Sequence, residues 1–238
     1  QGPVRVGIPI ADLTAGIFTA MGILIALLER DESGEGQFVE SSLLAAEIAM
    51  LDFQATRWTM SKEVPGQAGN NHPTNIPSGV FRTKDGHINI AAAGGEMFTR
   101  LCRAAGLEGL VHDPEFSTGK ARLKNRDKLN AIIEEVTATE TSAEWVARLN
   151  RAGVPTGPIY RIDEVFADPQ VRHLGIVQPV EHKSLGRLDL IGQAVTLSRT
   201  PSRLRSATPE RGEHTDEVLR ELGYDGAAIV RLHSDGAV

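Results

Sequence analysis

From Leu13 to Leu28 the chain runs for sixteen residues without a charge, "LTAGIFTAMGILIALL". The run is apolar on every side of a helix, so it predicts a fully buried core helix over 13–30. It falls short of the ~18–20 residues that cross a bilayer, and charged residues follow at once in "ERDESGEG" (29–36). Gly16 and Gly22 would let a neighbouring element approach closely. Asp12 stands just before the run, in the otherwise uncharged "PIADLTAGIF" (9–18). Taken alone, Asp12 reads as the N-cap of this helix, because Asp is a leading cap residue.

With 238 residues the chain has room for one large domain or two smaller ones. Its net charge of −6 and pI near 5.7 give no basic field that would favour nucleic acid or an anionic membrane. The densest basic group (Arg199, Arg203, Arg205 and Arg211) lies in a Pro/Ser/Thr-rich stretch and reads as solvated surface. Cys102 is the one cysteine, which rules out an intrachain disulfide and a disulfide-stapled secreted fold. In "FTRLCRAAG" it reads as core filler, and without CxxC or His/Cys pairs no zinc or other metal site is expected. The first residues lack the basic n-region, apolar h-region and cleavage site of a signal peptide. The chain starts at Gln1 and enters a core element almost immediately, which leads us to expect that an N-terminal portion precedes it.

Beyond the first helix, "DESGEGQ" predicts a turn and "QFVE" a short strand. A second helix follows to about Trp58, with Leu44, Ile48, Leu51 and Ala55 at helical spacing. The Gly/Pro/Asn-rich "EVPGQAGNNHPTNIPSG" (63–79) is too rich in breakers for regular structure, and long loops in compact domains are usually functional or disordered. Asp85-Gly86, flanked by alternating residues, predicts a hairpin. Helices are expected at about 95–105, at 121–138, and from the capping box of Thr141 and Glu144 to Gly153. "VPTGPIY" reads as a strand and "RIDEVFADPQV" as a short helix. "GIVQPVEH" and "GRLDLIGQAVTLS" read as antiparallel strands, and a final helix is expected between Thr215 as N-cap and Gly223 as C′.

Five segments in order, "ADLTAG" (11–16), "GEGQFVESSL" (34–43), "GNNHPTNIPSGVFRTKDG" (69–86), "AGVPTGPIY" (152–160) with "EVFADPQV" (164–171), and "GEHTDEVLRELGY" (212–224), resemble the class III CoA-transferases of the CaiB/BaiF type. The resemblance covers essentially the whole chain. It implies an α/β fold, with the C-terminal portion of a Rossmann-like large domain plus a smaller α+β domain. Residues 1–75 and 171–238 would belong to the large domain and 76–170 to the small one. It also implies an interlocked homodimer that uses a coenzyme A thioester as co-substrate; we further expect a cytoplasmic protein with no tightly bound cofactor, and the charge balance leads us to expect neither a nucleic-acid nor a membrane partner. The family's nucleotide-binding residues would lie mostly before Gln1, so that segment would be needed to bind CoA.

In this family the Asp of the first motif is the catalytic carboxylate, and Asp12 matches it. The resemblance implies that Asp12 attacks an acyl-CoA donor and passes through an aspartyl mixed anhydride and an aspartyl-CoA thioester to a carboxylic-acid acceptor. A carboxylate is a weak nucleophile, so it must be positioned and shielded from water. The tip Gly69, Asn70, Asn71 and His72 takes the place of a glycine-rich segment that closes over the intermediate in the formyl-CoA transferase branch. Two readings stand for it: contact with substrate or CoA, and plain turn chemistry.

An α-methylacyl-CoA racemase, from a related branch, is the alternative activity. By resemblance that branch carries Glu where this chain has Arg82, which favours the transferase. A non-catalytic binding module of the same fold is the further alternative. His87, His112, His173, His182, His214 and His233 read as structural or solvated, and Glu40, Glu47 and Asp52 as helix starts or surface. Trp58 and Trp145 read as packing residues. The polar tip at 70–72 points to a carboxylated or hydroxylated acid, such as a dicarboxylate.

Overall fold

Pro9 starts the first helix, α1 (Ile10–Ser33), which runs 24 residues before Gly34 closes it in the left-handed conformation at φ 78°. The computed structural model describes residues 2–238, which divide into two units, one running up to Pro158 and the other from Ile159 to Val238.

The expected burial of α1 does not occur. None of its residues is buried. Its one principal neighbour is α2 (Leu43–Met50), and a helix that is apolar all round needs partners on more than one side. The helix also outruns the charge-free stretch, and by length and composition alone it is long enough to cross a bilayer. Gly22 does permit a close approach, since a Cβ there would meet Val39 Cγ1 at 3.0 Å, whereas Gly16 faces open space.

The strand expected at Gln37–Glu40 is irregular backbone; a strand needs a ladder neighbour, and none pairs with it among the described residues. The expected helix through Trp58 is broken. Asp52, at φ 49° and ψ −128°, separates α2 from α3 (Phe53–Ser61). Trp58 is half exposed rather than packed, with the Lys62 ammonium 5.6 Å from its ring centre.

The hairpin forms where Asp85-Gly86 predicts it. β1 (Ser78–Arg82) and β2 (His87–Ala91) are antiparallel, with Arg82 opposite His87. Behind them come α4 (Gly95–Ala105), a single 3-10 turn at Glu108–Val111, and α5 (Gly119–Lys124). The helix expected over 121–138 is split at Asn125, because Thr118 Oγ1 caps α5 and Asn125 then begins α6 (Arg126–Thr137). α7 (Ser142–Arg151) opens on the expected capping box. There the Thr141 N–H donates to Glu144 Oε2 at 2.9 Å, and the Glu144 N–H returns to Thr141 Oγ1 at 3.4 Å. β3 (Thr156–Pro158) pairs antiparallel with the free edge of β2.

Strand alternation sends Phe81, Ile88 and Ile90 to one face of this sheet, where they meet Phe98, Leu101, Leu129, Ile133, Trp145 and Leu149. Cys102 sits among them as core filler, and burial pushes its thiol up to about 11.

In the second unit, α8 (Ile162–Ala167) and α9 (Pro169–Leu174) replace the single short helix expected there. Asp168 caps α9 through the Gln170 and Val171 N–H groups. β4 (Val177–His182) and β5 (Gly186–Ile191) form the second hairpin, and the "AVTLS" stretch lies outside it. α10 (Thr215–Glu221) has His214, not Thr215, at its cap position, and Gly223 follows at φ 92°. Sequence reasoning missed α11 (Gly226–Ser234), whose start is capped by Asp225. Both sheets among the described residues are antiparallel.

Candidate active site

Asp12 is not the cap. α1 begins two residues earlier, so Asp12 lies in its first turn, at the positive end of the helix dipole. The carboxylate is exposed and has no hydrogen bond or ion pair among the described residues. Thr14, on the next turn, spends its hydroxyl on the Ile10 carbonyl at 2.7 Å. A carboxylate with no partner, held by regular helix, is available to a molecule from outside.

The 69–72 tip is built differently, by cross-links. Gly69 takes φ 62°, where a side chain would be strained. The Val80 N–H donates to the Asn70 carbonyl at 3.0 Å and the His72 N–H to the Ser78 carbonyl at 2.8 Å. These bonds lay Asn71 against Gly79 as a short antiparallel bridge to β1. Asn71 Nδ2 donates to the Ala68 carbonyl at 3.3 Å, and Asn71 Oδ1 accepts from Asn130 Nδ2 at 2.7 Å. Gly79 is required by this approach, because a Cβ would stand 2.6 Å from the Asn70 carbonyl oxygen.

His72 Nδ1 accepts from the Thr74 and Asn75 N–H groups, and its ring stacks on Phe53, 5.6 Å between centres and 5° from parallel. Sequence reasoning gave no role to Phe53 and Asn130, which lie on α3 and α6 far from the tip in sequence, nor to Gly79, which lies in the quoted 69–86 segment but whose close approach to Asn70 is a tertiary contact. No hydrogen bond joins Asp12 to residues 69–72 among the described residues.

Of the carboxylates read as helix starts or surface, Glu40 and Asp52 are exposed, whereas Glu47 lies in the middle of α2 with Oε2 buried and without a partner, which corrects that reading. His182 Nδ1 accepts from the Ser184 and Leu185 N–H groups, closing the β4–β5 turn. Ser184 Oγ donates to Glu210 at 2.6 Å and also lies 3.3 Å from His182 Nδ1, so the hydroxyl takes part in the same turn closure. Arg82 is exposed, and its backbone meets Glu134 and Thr137. A concavity of about 690 Å³ in the second unit, walled by Phe166, Val171, Val177 and Ile191 among others, contains none of the residues identified above.

The family model for CoA-transferase family III matches residues 1–215. The chain belongs to this family. The match runs through α1, which makes that helix an element of the family III chain. The family III chain is 32% identical over 237 residues to a human succinyl-CoA:glutarate CoA-transferase, covering 99% of itself and 54% of that protein. It is 32% identical over 220 residues to a succinate–glutarate CoA-transferase of Agrobacterium fabrum, covering 92% of itself and 55% of that protein. It superposes on the crystal structure of a CaiB/BaiF family protein from Brucella suis with a TM-score of 0.75 at 30% identity, over 93% of itself and 57% of that chain. The chain thus spans about half the length of the curated relatives it matches.

Proposed function

We propose that this protein is a CoA-transferase in which Asp12 is the nucleophile and the acids exchanged are dicarboxylates. The observation that carries the reading is the unpartnered carboxylate in the first turn of α1, in a chain of family III. The two relatives named for succinate and glutarate support the substrate class.

The chemistry balances in four displacements. An Asp12 carboxylate oxygen attacks the thioester carbonyl, the C–S bond breaks, and CoA leaves as thiolate beside an aspartyl mixed anhydride. The thiolate attacks the aspartyl carbonyl, releasing the donor acid as carboxylate and leaving an aspartyl-CoA thioester. The acceptor carboxylate displaces the thiolate to form a second anhydride, and the thiolate then attacks the acceptor carbonyl and frees Asp12. No net proton is consumed. Each carbonyl addition places negative charge on oxygen, which hydrogen-bond donors would stabilise, and water must be kept out of both anhydrides. In this reading a preceding segment supplies most CoA contacts, and a second copy completes an interlocked homodimer with a Rossmann-like large domain.

The test uses the full-length protein, succinyl-CoA and hydroxylamine or borohydride trapping, with the adduct mapped by mass. The expected result is modification at Asp12, and a fall in CoA transfer of at least about a thousandfold in both Asp12→Ala and Asp12→Asn. Full activity in these variants, with no adduct, would sink the mechanism. Exchange of the α-proton with deuterium in the absence of CoA transfer would assign the racemase chemistry instead.

A further inference from the structure

His72 is anchored on one edge of its ring and open on the other. Its Nδ1 accepts from the Thr74 N–H at 3.2 Å and the Asn75 N–H at 3.0 Å. A ring nitrogen that accepts carries no proton, so the neutral imidazole has its proton on Nε2. Nε2 makes no hydrogen bond among the described residues. Stacking on Phe53 sets the tilt of the ring, and the His72 N–H to Ser78 carbonyl bond sets the backbone beneath it. The side chain is half-buried. A donor fixed in this way loses little conformational freedom when an acceptor arrives.

The surrounding chemistry narrows what that acceptor is. Asn71 uses both ends of its amide within the protein, so it has less to offer a ligand. From Val64 to Phe81 the chain contains no Lys or Arg. Phosphate groups are bound mainly by guanidinium or ammonium groups, so this segment is poorly suited to the phosphates of CoA. A single neutral N–H beside an aromatic ring suits one carboxylate oxygen flanked by methylenes.

We infer that the Nε2–H of His72 donates to a carboxylate oxygen of the acid substrate and so sets the affinity for that acid. The inference rests on the transferase reading above and adds the residue that recognises the acid.

Two substitutions separate this role from closure of the turn. Asn at 72 can still accept from the Thr74 and Asn75 N–H groups but lacks the distal donor. Gln carries an amide N–H close to the place of Nε2 and loses the near acceptor. In full-length protein, with succinyl-CoA saturating and glutarate varied, His72→Asn should raise KM for glutarate about tenfold to a hundredfold, as expected for losing one hydrogen bond to a charged group. The kcat should change less, and His72→Gln, which keeps the distal donor but loses the anchor, should raise KM less than His72→Asn does. The reverse order, with Asn silent and Gln impaired, makes His72 a turn-former and overturns the inference. Equal KM in all three proteins overturns it as well, and so does a rise in both variants that tracks a fall in Tm. Hydroxylamine trapping on the same samples tells the two levels apart. An adduct at Asp12 with a silent His72→Asn removes only the donor role, whereas no adduct in the wild type removes the transferase reading on which it rests.

Discussion

Helix α1 and the α+β body that begins at Ile76 are both rich in apolar residues, yet they pack in opposite ways. α4 sets Phe98, Leu101 and Cys102 on one face while Glu96, Arg100 and Arg103 stay accessible, so turning that one face into the core shared with α6, α7 and the sheet satisfies it. α1 has no such division. Ile17, Met21, Leu24 and Leu28 form a stripe at helical spacing that stays 48–69% exposed. Apolarity therefore states how strongly a segment favours burial, while amphipathic division states how many partners suffice. The body reaches that condition within the described residues and α1 does not.

The largest expected effect tests this contrast directly. Trp145 is 1% exposed, packed in the body's core and stacked by the Arg148 guanidinium 4.5 Å away. In the 238-residue chain, Trp145→Ala should cost about 3–5 kcal/mol by urea unfolding. Leu24→Ala on the exposed stripe should stay within about 0.5 kcal/mol. A Leu24 loss as large as that at Trp145 would mean that α1 is covered in solution. Trp145→Phe should cost less than lost area suggests, because the Trp145 indole N–H is buried without a partner and its removal lifts that penalty.

The same contrast explains what could be read from the residues. Local chemistry that completes itself over a few positions was legible: the Asp85-Gly86 turn, the Thr141–Glu144 capping box and the Gly223 terminus all form. Features that depend on a distant partner were not. Asp52 breaks a continuous helical pattern with a backbone conformation nothing nearby demands, and "QFVE" has strand-forming residues without a strand to pair with. The position of Asp12 was legible to within one helical turn, since the helix starts at Ile10 rather than at Leu13. At the 69–72 tip the turn-forming residues were legible. The contacts that hold them, Phe53 under His72, Asn130 on Asn71 and the space left by Gly79, are tertiary and carry no local pattern.

Arg122 marks where the tip is joined to the ordered side of the contrast. The guanidinium is 2% exposed, lies 4.5 Å from the Phe98 ring centre, and meets no carboxylate among the described residues. It donates instead to three backbone carbonyls, Ile76 at 2.8 Å, Phe116 at 3.0 Å and Ala93 at 2.6 Å. Burial lowers its basicity, but the charge is shared over three carbonyl dipoles. Arg122→Met keeps most of the volume and strands those carbonyls. It should cost about 3 kcal/mol, less than the loss at Trp145 where that reaches its upper range. Arg122→Lys, which can reach one or two of the three, should fall between. A neutral Arg122→Met would show that water satisfies these carbonyls and that the bridge to β1, the Asn130 bond and the Phe53 stack hold the tip without it.

The smallest effect lies on the surface of the body, at the hairpin turn. Asp85 Oδ1 accepts from the Ser142 N–H at 2.8 Å and from Thr83 Oγ1 at 3.2 Å, tying the turn to the start of α7. The Ser142 bond is the main reason that its carboxyl is held below the ordinary Asp value of 3.8. A carboxyl whose folded pKa lies below its unfolded one contributes stability that is fully present above the unfolded value. That contribution is lost as pH falls through the folded value, where both states become protonated. The wild type should therefore melt slightly above Asp85→Asn at neutral pH, and the gap should close as pH falls below about 3.8 and onward through the lowered value. High salt should narrow it at every pH because the group is exposed. A gap that stays constant with pH would place the contribution of Asp85 in the shape of the turn rather than in its charge, and the order of the body would then owe nothing to ionisation at this edge.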